Sequence, residues 1–145
     1  MTGNFNVMRL AIPYLKRSRA GVIINRSSVA GRFGANRSPY CTAKWGLLGF
    51  TKTLSIELGA FGIRANVILP GAVDGPRIEK VFEGRAKATH QSIEEIRKEA
   101  MAVQSPKRLL VPKDIATLAV FLASAAAKSN SGQMLPIDHD MQQAS

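Results

Sequence analysis

The chain is poor in several residue types, and each shortage excludes something. Its 145 residues include a single cysteine, Cys41, so no internal disulfide can form and a reducing compartment, the cytoplasm, is expected. The only two histidines, His90 and His139, lie far apart with no second cysteine, and no zinc-type ligand set is apparent. No run of about 18 apolar residues occurs, so no segment reads as a membrane-spanning helix. There is no internal repeat and no low-complexity linker. Acids are scarce, with 10 Asp+Glu against 20 Lys+Arg and a net charge of +10. A nucleic-acid surface should gather such charge on one face with aromatics between. Here the charge is scattered: Lys16, Arg17 and Arg19, then Arg26, Arg32 and Arg37, while residues 65–76 carry only Asp74. Nucleic acid is therefore not an expected partner.

What is present suits one domain with one core, at 46% hydrophobic residues. The first 19 residues hold Arg9, Lys16, Arg17 and Arg19 and no acid, which superficially resembles an organelle presequence. Phe5, Met8, Ile12 and Leu15, however, recur at three-to-four spacing, and a strand follows at once. The segment 3–17 is therefore read as a helix packed in the core, bent or shortened by Pro13. "GVIIN" from Gly21 is a buried β-branched strand, and 27–37 a loop. "SPY" then opens the strongest helix, with Ser38 as cap, Pro39 in the first turn, and Gly59 and Gly62 at its close. Ala43, Leu47, Phe50 and Leu54 form its apolar stripe, and Trp45, Leu48 and Ile56 widen it, so burial on two sides is expected.

"IRANVILPG" (63–71) reads as a second buried strand. Residues 72–104 are charged and largely helical, with a capping box at Ser92–Glu95. A helix starts at Pro112, and "GQMLPID" (132–138) is a third strand. Asn25 and Asn66 are assigned backbone hydrogen-bonding duty. Helices alternating with strands predict an α/β fold, a parallel sheet with helices on both faces. Three strands are half of the six-stranded doubly wound dinucleotide fold.

Chemistry concentrates in "SSVAGRFGANRSPYCTAK" (27–44). Tyr40 and Lys44, four apart on a helix, share one face. An unperturbed phenol titrates near about 10, and an ammonium one turn away favours the phenolate, which makes a general acid–base. Ser28 follows the first strand, where open α/β sheets place ligands, and its hydroxyl can hold the oxygen that Tyr40 protonates. Cys41 reads as a small helix residue pointing away from that chemistry.

"GVIINRSSVAG", "YCTAK" twelve residues after Ser28, "GIRANVILPGAV" and "SGQMLPID", in this order, closely resemble the short-chain dehydrogenase/reductase family over essentially the whole chain. The resemblance implies a partial Rossmann-like sheet and an oxidoreductase that moves a hydride between NAD or NADP and a carbonyl or secondary-alcohol substrate. It implies that Ser28, which directly precedes "VAG", rather than Ser27, binds the substrate oxygen. Tyr40 would be the acid–base, and Lys44 would hold the nicotinamide ribose and tune Tyr40. Pro70, Gly71 and Val73 would form the turn beside the nicotinamide. It further implies that residues 74–104 are a substrate lid, and that the helices at 3–17 and 38–58 pair across a two-fold axis into a homo-oligomer.

Departures from the family pattern stand beside the resemblance. A threonine that bonds the cofactor is replaced by Gly75, and Asp138-His139-Asp140 stands where Asp-Gly-Gly is usual, an expected change at the pocket rim. Arg26 occupies a position that is usually aliphatic or small and polar. The glycine-rich pyrophosphate turn does not occur in these residues, and the family's tetrad asparagine would fall just before Met1. The expectation is therefore a chain lacking about 100 residues of the dinucleotide-binding half, with no appreciable activity by itself. The alternative is an inactive remnant that acts through protein association.

Overall fold

The computed structural model describes residues 1–18, 20–34 and 37–142. Arg19 and positions 35 and 36 of the expected loop lie outside them. Helix α1 (Thr2–Ser18) precedes strand β1 (Val22–Arg26), and helix α2 (Ser38–Glu57) leads to β2 (Arg64–Pro70). Helices α3 (Pro76–Thr89), α4 (Ile93–Ala102) and α5 (Pro112–Ala123) then lead to β3 (Met134–Ile137). The strands are parallel in the order β1-β2-β3, with Ile24 beside Asn66 and Ile68 beside Leu135.

Period-two alternation decides which helix each strand residue meets. On one face Ile23 and Ala65 pack with Leu54 and Leu58, and Val67 and Leu69 pack with Leu48 of α2. On the other, Ile68 meets Leu122 of α5 and Ala127. With helices on both faces and a strand on each side, β2 is buried from Ala65 to Pro70, which explains its nearly continuous apolar run. The expected α/β layering is the observed one.

Two buried asparagines join the layers. Asn66 donates to the Asn130 carbonyl at 2.8 Å and accepts from the Gln133 amide at 3.0 Å, stitching β2 to the approach of β3. Asn25 differs from expectation: it donates to the Thr51 hydroxyl at 2.9 Å, a side chain rather than backbone, because the end of β1 faces α2. The Thr51 hydroxyl in turn donates to the Leu47 carbonyl at 2.6 Å.

The helices depart from expectation at four points. No residue of α1 is fully buried; Met8, Ile12 and Leu15 lean on the core, while Phe5 stays half exposed with its ring 6.0 Å from Phe50. Pro13 does not shorten α1, since Pro13 and Arg9 are both exposed and the carbonyl it leaves without a helical donor can be hydrated. Ser38 is not the cap of α2 but its first residue; Arg37 occupies the cap position and makes no side-chain capping bond. Burial of α2 is one-sided: Leu47, Leu48, Thr51 and Leu54 are buried, whereas Trp45 is 51% and Ile56 72% exposed. One sheet face covers only one side of a helix. Gly62, at φ 70°, closes the turn that follows α2.

The capping box of α4 forms as expected, with Ser92 Oγ accepting from the Glu95 amide and Glu95 accepting from Ser92. The backbone N–H of Ser92, and then its hydroxyl, hold the Glu95 carboxyl below the usual carboxylate range. A depressed folded value means that the contribution is present at neutral pH and is lost as pH falls through that value. Glu95→Gln should therefore fray the first turn of α4 at neutral pH and match the parent once both are studied below the carboxylate range. Amide hydrogen exchange across residues 93–97 checks this; a difference that persists undiminished in acid contradicts it.

Candidate active site

Because β1 and β2 are parallel, their carboxyl ends open on the same side of the sheet, where crevices of α/β sheets lie. A cleft of about 320 Å³ occupies that side. Ser28, Tyr40, Pro70, Gly71 and Val73 all line it. The loop after β1, the start of α2 and the turn after β2 thus converge, although they come from three separate stretches of chain.

Ser28 starts a short 3-10 turn (Val29–Gly31), and its Oγ accepts a hydrogen bond from the Ala30 amide at 3.2 Å. That contact uses a lone pair and leaves the hydroxyl proton available to an oxygen in the cleft. Two cations lie near the Tyr40 ring. The Lys44 Nζ is 5.6 Å and the Arg37 guanidinium 5.5 Å from its ring centroid. Lys44 does not itself line the cleft; its Nζ donates to the Arg26 carbonyl at 3.2 Å, at the end of β1.

Ser27 has a different part. It is buried, and its Oγ donates to the Lys44 carbonyl at 2.8 Å, fastening the end of β1 to α2. Gly31 permits this approach: a β-carbon there would lie 2.8 Å from Ser27 Oγ, 2.9 Å from the Lys44 carbonyl oxygen and 3.1 Å from Leu48 Cδ1. Sequence reasoning set Ser27 aside and gave Gly31 no role. The only available signal was a small-residue run between a strand and a helix.

Other lining residues were also missed. Arg37, Arg77 and Arg85 join Arg26 in the cleft, with Ile78, Val81 and Phe82 of α3 as its apolar wall. Residues 78, 81, 82 and 85 share one helical face, so an arginine in an otherwise apolar stripe was a readable signal. Gly75 lines the cleft at φ 138°, ψ 175°, a conformation open essentially to glycine alone. The backbone therefore disfavours a threonine there whatever its side chain offers.

The expected effect of Asp138-His139-Asp140 on the pocket rim is not observed. None of the three lines the cleft; His139 and Asp140 hold the chain between α4 and α5 to the end of β3. Ser105 donates from its amide to the His139 carbonyl and from its hydroxyl to Asp140, and His139 Nδ1 lies 2.9 Å from the Arg108 carbonyl oxygen. His139 and Asp140 adopt φ 54° to make these contacts. The next residue, buried Met141, does reach the cleft.

Residues 1–141 match the family model described as enoyl-(acyl carrier protein) reductase. The chain is 36% identical over 140 residues to a D-beta-hydroxybutyrate dehydrogenase of Cupriavidus necator, covering 95% of this chain and 54% of that protein. A 3-oxoacyl-(acyl-carrier protein) reductase with bound NAD from Brucella melitensis superposes with a TM-score of 0.79 at 29% identity, over 99% of this chain and 49% of the other. An actinorhodin polyketide ketoreductase variant with NADPH superposes at 0.90 and 28% identity, over 99% and 56%. The chain spans about half the length of the curated relatives it matches.

Gly31→Ala should destabilise the fold by about 1–3 kcal/mol, the usual cost of overpacking. Gly34→Ala, where nothing lies within 4 Å, should leave the midpoint unmoved. Thermal unfolding of the two variants checks this, and equal midpoints contradict the close-approach reading.

Proposed function

The chain belongs to the short-chain dehydrogenase/reductase family, and on that premise we propose that its cleft interconverts a carbonyl and a secondary alcohol with NAD or NADP. One observation carries the proposal: Ser28, Tyr40 and the Pro70–Val73 turn face one cleft at the strand ends, and the Lys44 ammonium is bonded to the carbonyl of Arg26, which also lines it. The residues suit the nicotinamide end of such a cofactor. A phenol, an ammonium and a hydroxyl supply donors for ribose hydroxyls and a reacting oxygen, and Pro70, Gly71 and Val73 give a low wall for a flat ring. A cleft of about 320 Å³ lies within the size range of small-molecule sites. The bound nicotinamide would supply or accept the hydride.

The protein's own part is positioning and proton transfer. Ser28 would donate its hydroxyl proton as a hydrogen bond to the substrate oxygen, its lone pair already engaged by Ala30. Tyr40 would give its proton to that oxygen as charge develops, or take it back in the alcohol direction. Lys44, one turn along α2 with its ammonium 5.6 Å from the Tyr40 ring centroid, would steady the charge that develops in that exchange and bind the ribose hydroxyls. Residues 74–104, which supply the α3 wall, would act as the lid that excludes water.

Tyr40→Phe should lower turnover by about 10²–10⁴-fold, the usual worth of a general acid–base, with cofactor affinity nearly unchanged. Lys44→Ala should damage both, because one ammonium serves two purposes. Steady-state kinetics on a generic ketone with cofactor titration decides; an active phenylalanine variant overturns the mechanism.

The protein would also self-associate through α1 and α2. Leu10 (66% exposed) and Tyr14 on α1, and Trp45 and Ile56 on α2, are large apolar groups left in water by the single chain. Leu48, by contrast, is core, and a charge there would unfold rather than dissociate. Leu10→Glu or Trp45→Glu should shift the protein toward monomer in sedimentation with unfolding unaltered. A parent that is already monomeric contradicts the interface.

A further inference from the structure

The turn Asp138-His139-Asp140 lies outside the cleft lining, and the proposed chemistry gives it no task. His139 and Asp140 are nevertheless both held at φ 54°. That left-handed conformation is costly for residues with a β-carbon and persists only where the surroundings over-determine it. Here they do. The Ser105 amide donates to the His139 carbonyl at 2.9 Å, and the Ser105 hydroxyl to Asp140 at 2.7 Å. The Asp140 amide turns back to Asp138 Oδ1 at 3.2 Å. Past the turn, the Gln142 amide donates to the Val103 carbonyl at 2.8 Å, at the end of α4.

Met141 lies between these two sets of bonds. It is only 6% exposed, yet it lines the cleft. Among the described residues, the rest of the lining comes from segments 26–40 and 70–85 and from Ala100. The pinned turn thus brings one apolar residue from beyond β3 into the cleft. Ile78, Val81 and Phe82 of α3 and Ala100 of α4 are the apolar lining nearest it in kind. Phe82 and Ala100 are fixed by the core they share with Ala86 and Ile96. The bond from Gln142 to Val103 sets Met141 beside α4, about one turn beyond Ala100. Ala100 offers only a methyl group, and a long, unbranched, adaptable side chain is suited to fill the room it leaves. A cleft of about 320 Å³ is near the lower limit of small-molecule sites, so a few side-chain atoms decide what fits.

We infer that Met141 is a specificity-determining residue: it closes the apolar end of the cleft and limits the size of the substituent beside the substrate carbonyl. The substrate class is then a ketone or secondary alcohol with a compact apolar substituent. The inference rests on the reading of the cleft as a carbonyl-reducing site and adds selection by size. The left-handed turn is the device that holds the stop in place.

The test has two readouts. Methyl-labelled methionine gives the five methionines of the chain separate carbon-13 signals, and Met141→Leu assigns that of residue 141. Titration with cyclohexanone, with and without NADH or NADPH, should move that signal and leave that of Met8, packed against the core under α2, in place. The second readout is the ratio of affinities for 4-tert-butylcyclohexanone and cyclohexanone. Met141→Ala should raise this ratio about tenfold or more, the scale of a methylene or more in an apolar pocket. Met141→Leu, nearly equal in volume, should keep the parent ratio. If Met141→Ala does not fold, Met141→Val carries the comparison, and the methyl shift needs only the parent protein and its assignment. A Met141 signal that stays put while ketone binds overturns the inference. So do an unchanged ratio in a folded, shortened variant and a titration in which neither ketone binds. A shifted methyl and an altered ratio without NADH or NADPH oxidation retain the inference and sink the reductase reading. Ketone turnover whose size preference is indifferent to residue 141 does the reverse.

Discussion

The contact between the end of β1 and the flank of α2 governs the site. The Ser27 hydroxyl holds the Lys44 carbonyl, and Gly31 lets the loop lie against that same carbonyl and Leu48. Lys44 returns the contact, its ammonium reaching the Arg26 carbonyl. Two hydrogen bonds of opposite direction thus fix a helix to a strand end. Tyr40 lies one turn before Lys44 and Ser28 one residue after Ser27, so their relation is set by a clamp that neither residue makes. Polar contacts of this kind fix geometry more than they add stability.

The rest of the fold holds this clamp in place. β2 is buried from both faces and both sides, and its parallel pairing with β1 brings Pro70 and Gly71 to the same end as Ser28. A β-carbon on Gly71 would lie 3.0 Å from Asp138, just past β3, so the turn after β2 packs closely against the end of the third strand. α3 and α4 complete the opposite wall, sharing a small core of Phe82, Ala86, Ile96 and Ala100 that is separate from the core under the sheet. A wall with its own core can move as a unit, which suits a lid.

Much of this was legible in the sequence, for physical reasons. The α/β alternation, the buried strands and the capping box of α4 follow from local periodicity and local hydrogen bonding. That Ser28 and Tyr40 would face one crevice was legible from the strand end and the helix start that carry them, whereas Lys44 lies outside the cleft lining. What escaped was tertiary. Asn25 finds Thr51 across 26 positions, and Ser27 finds Lys44 across 17; no local pattern encodes such pairs. The burial of α2 was overestimated because an apolar stripe reports that a face is covered, not by which chain. Gly75 was read as a missing side chain, whereas its φ makes it a backbone requirement. The arginines of the cleft looked scattered along the chain and meet only when β1, α2 and α3 are brought together.

The central claim is that Ser28 and Tyr40 act on one substrate oxygen as a unit, held by a clamp in which Ser27 is structural. A double-mutant cycle on kcat/KM tests it directly, with Ser28→Ala, Tyr40→Phe and their combination, and with Ser27→Ala as a stability control. Groups that act as a unit are strongly non-additive, so the double variant should be scarcely worse than the poorer single one. Independent, additive losses from the two substitutions would contradict the account.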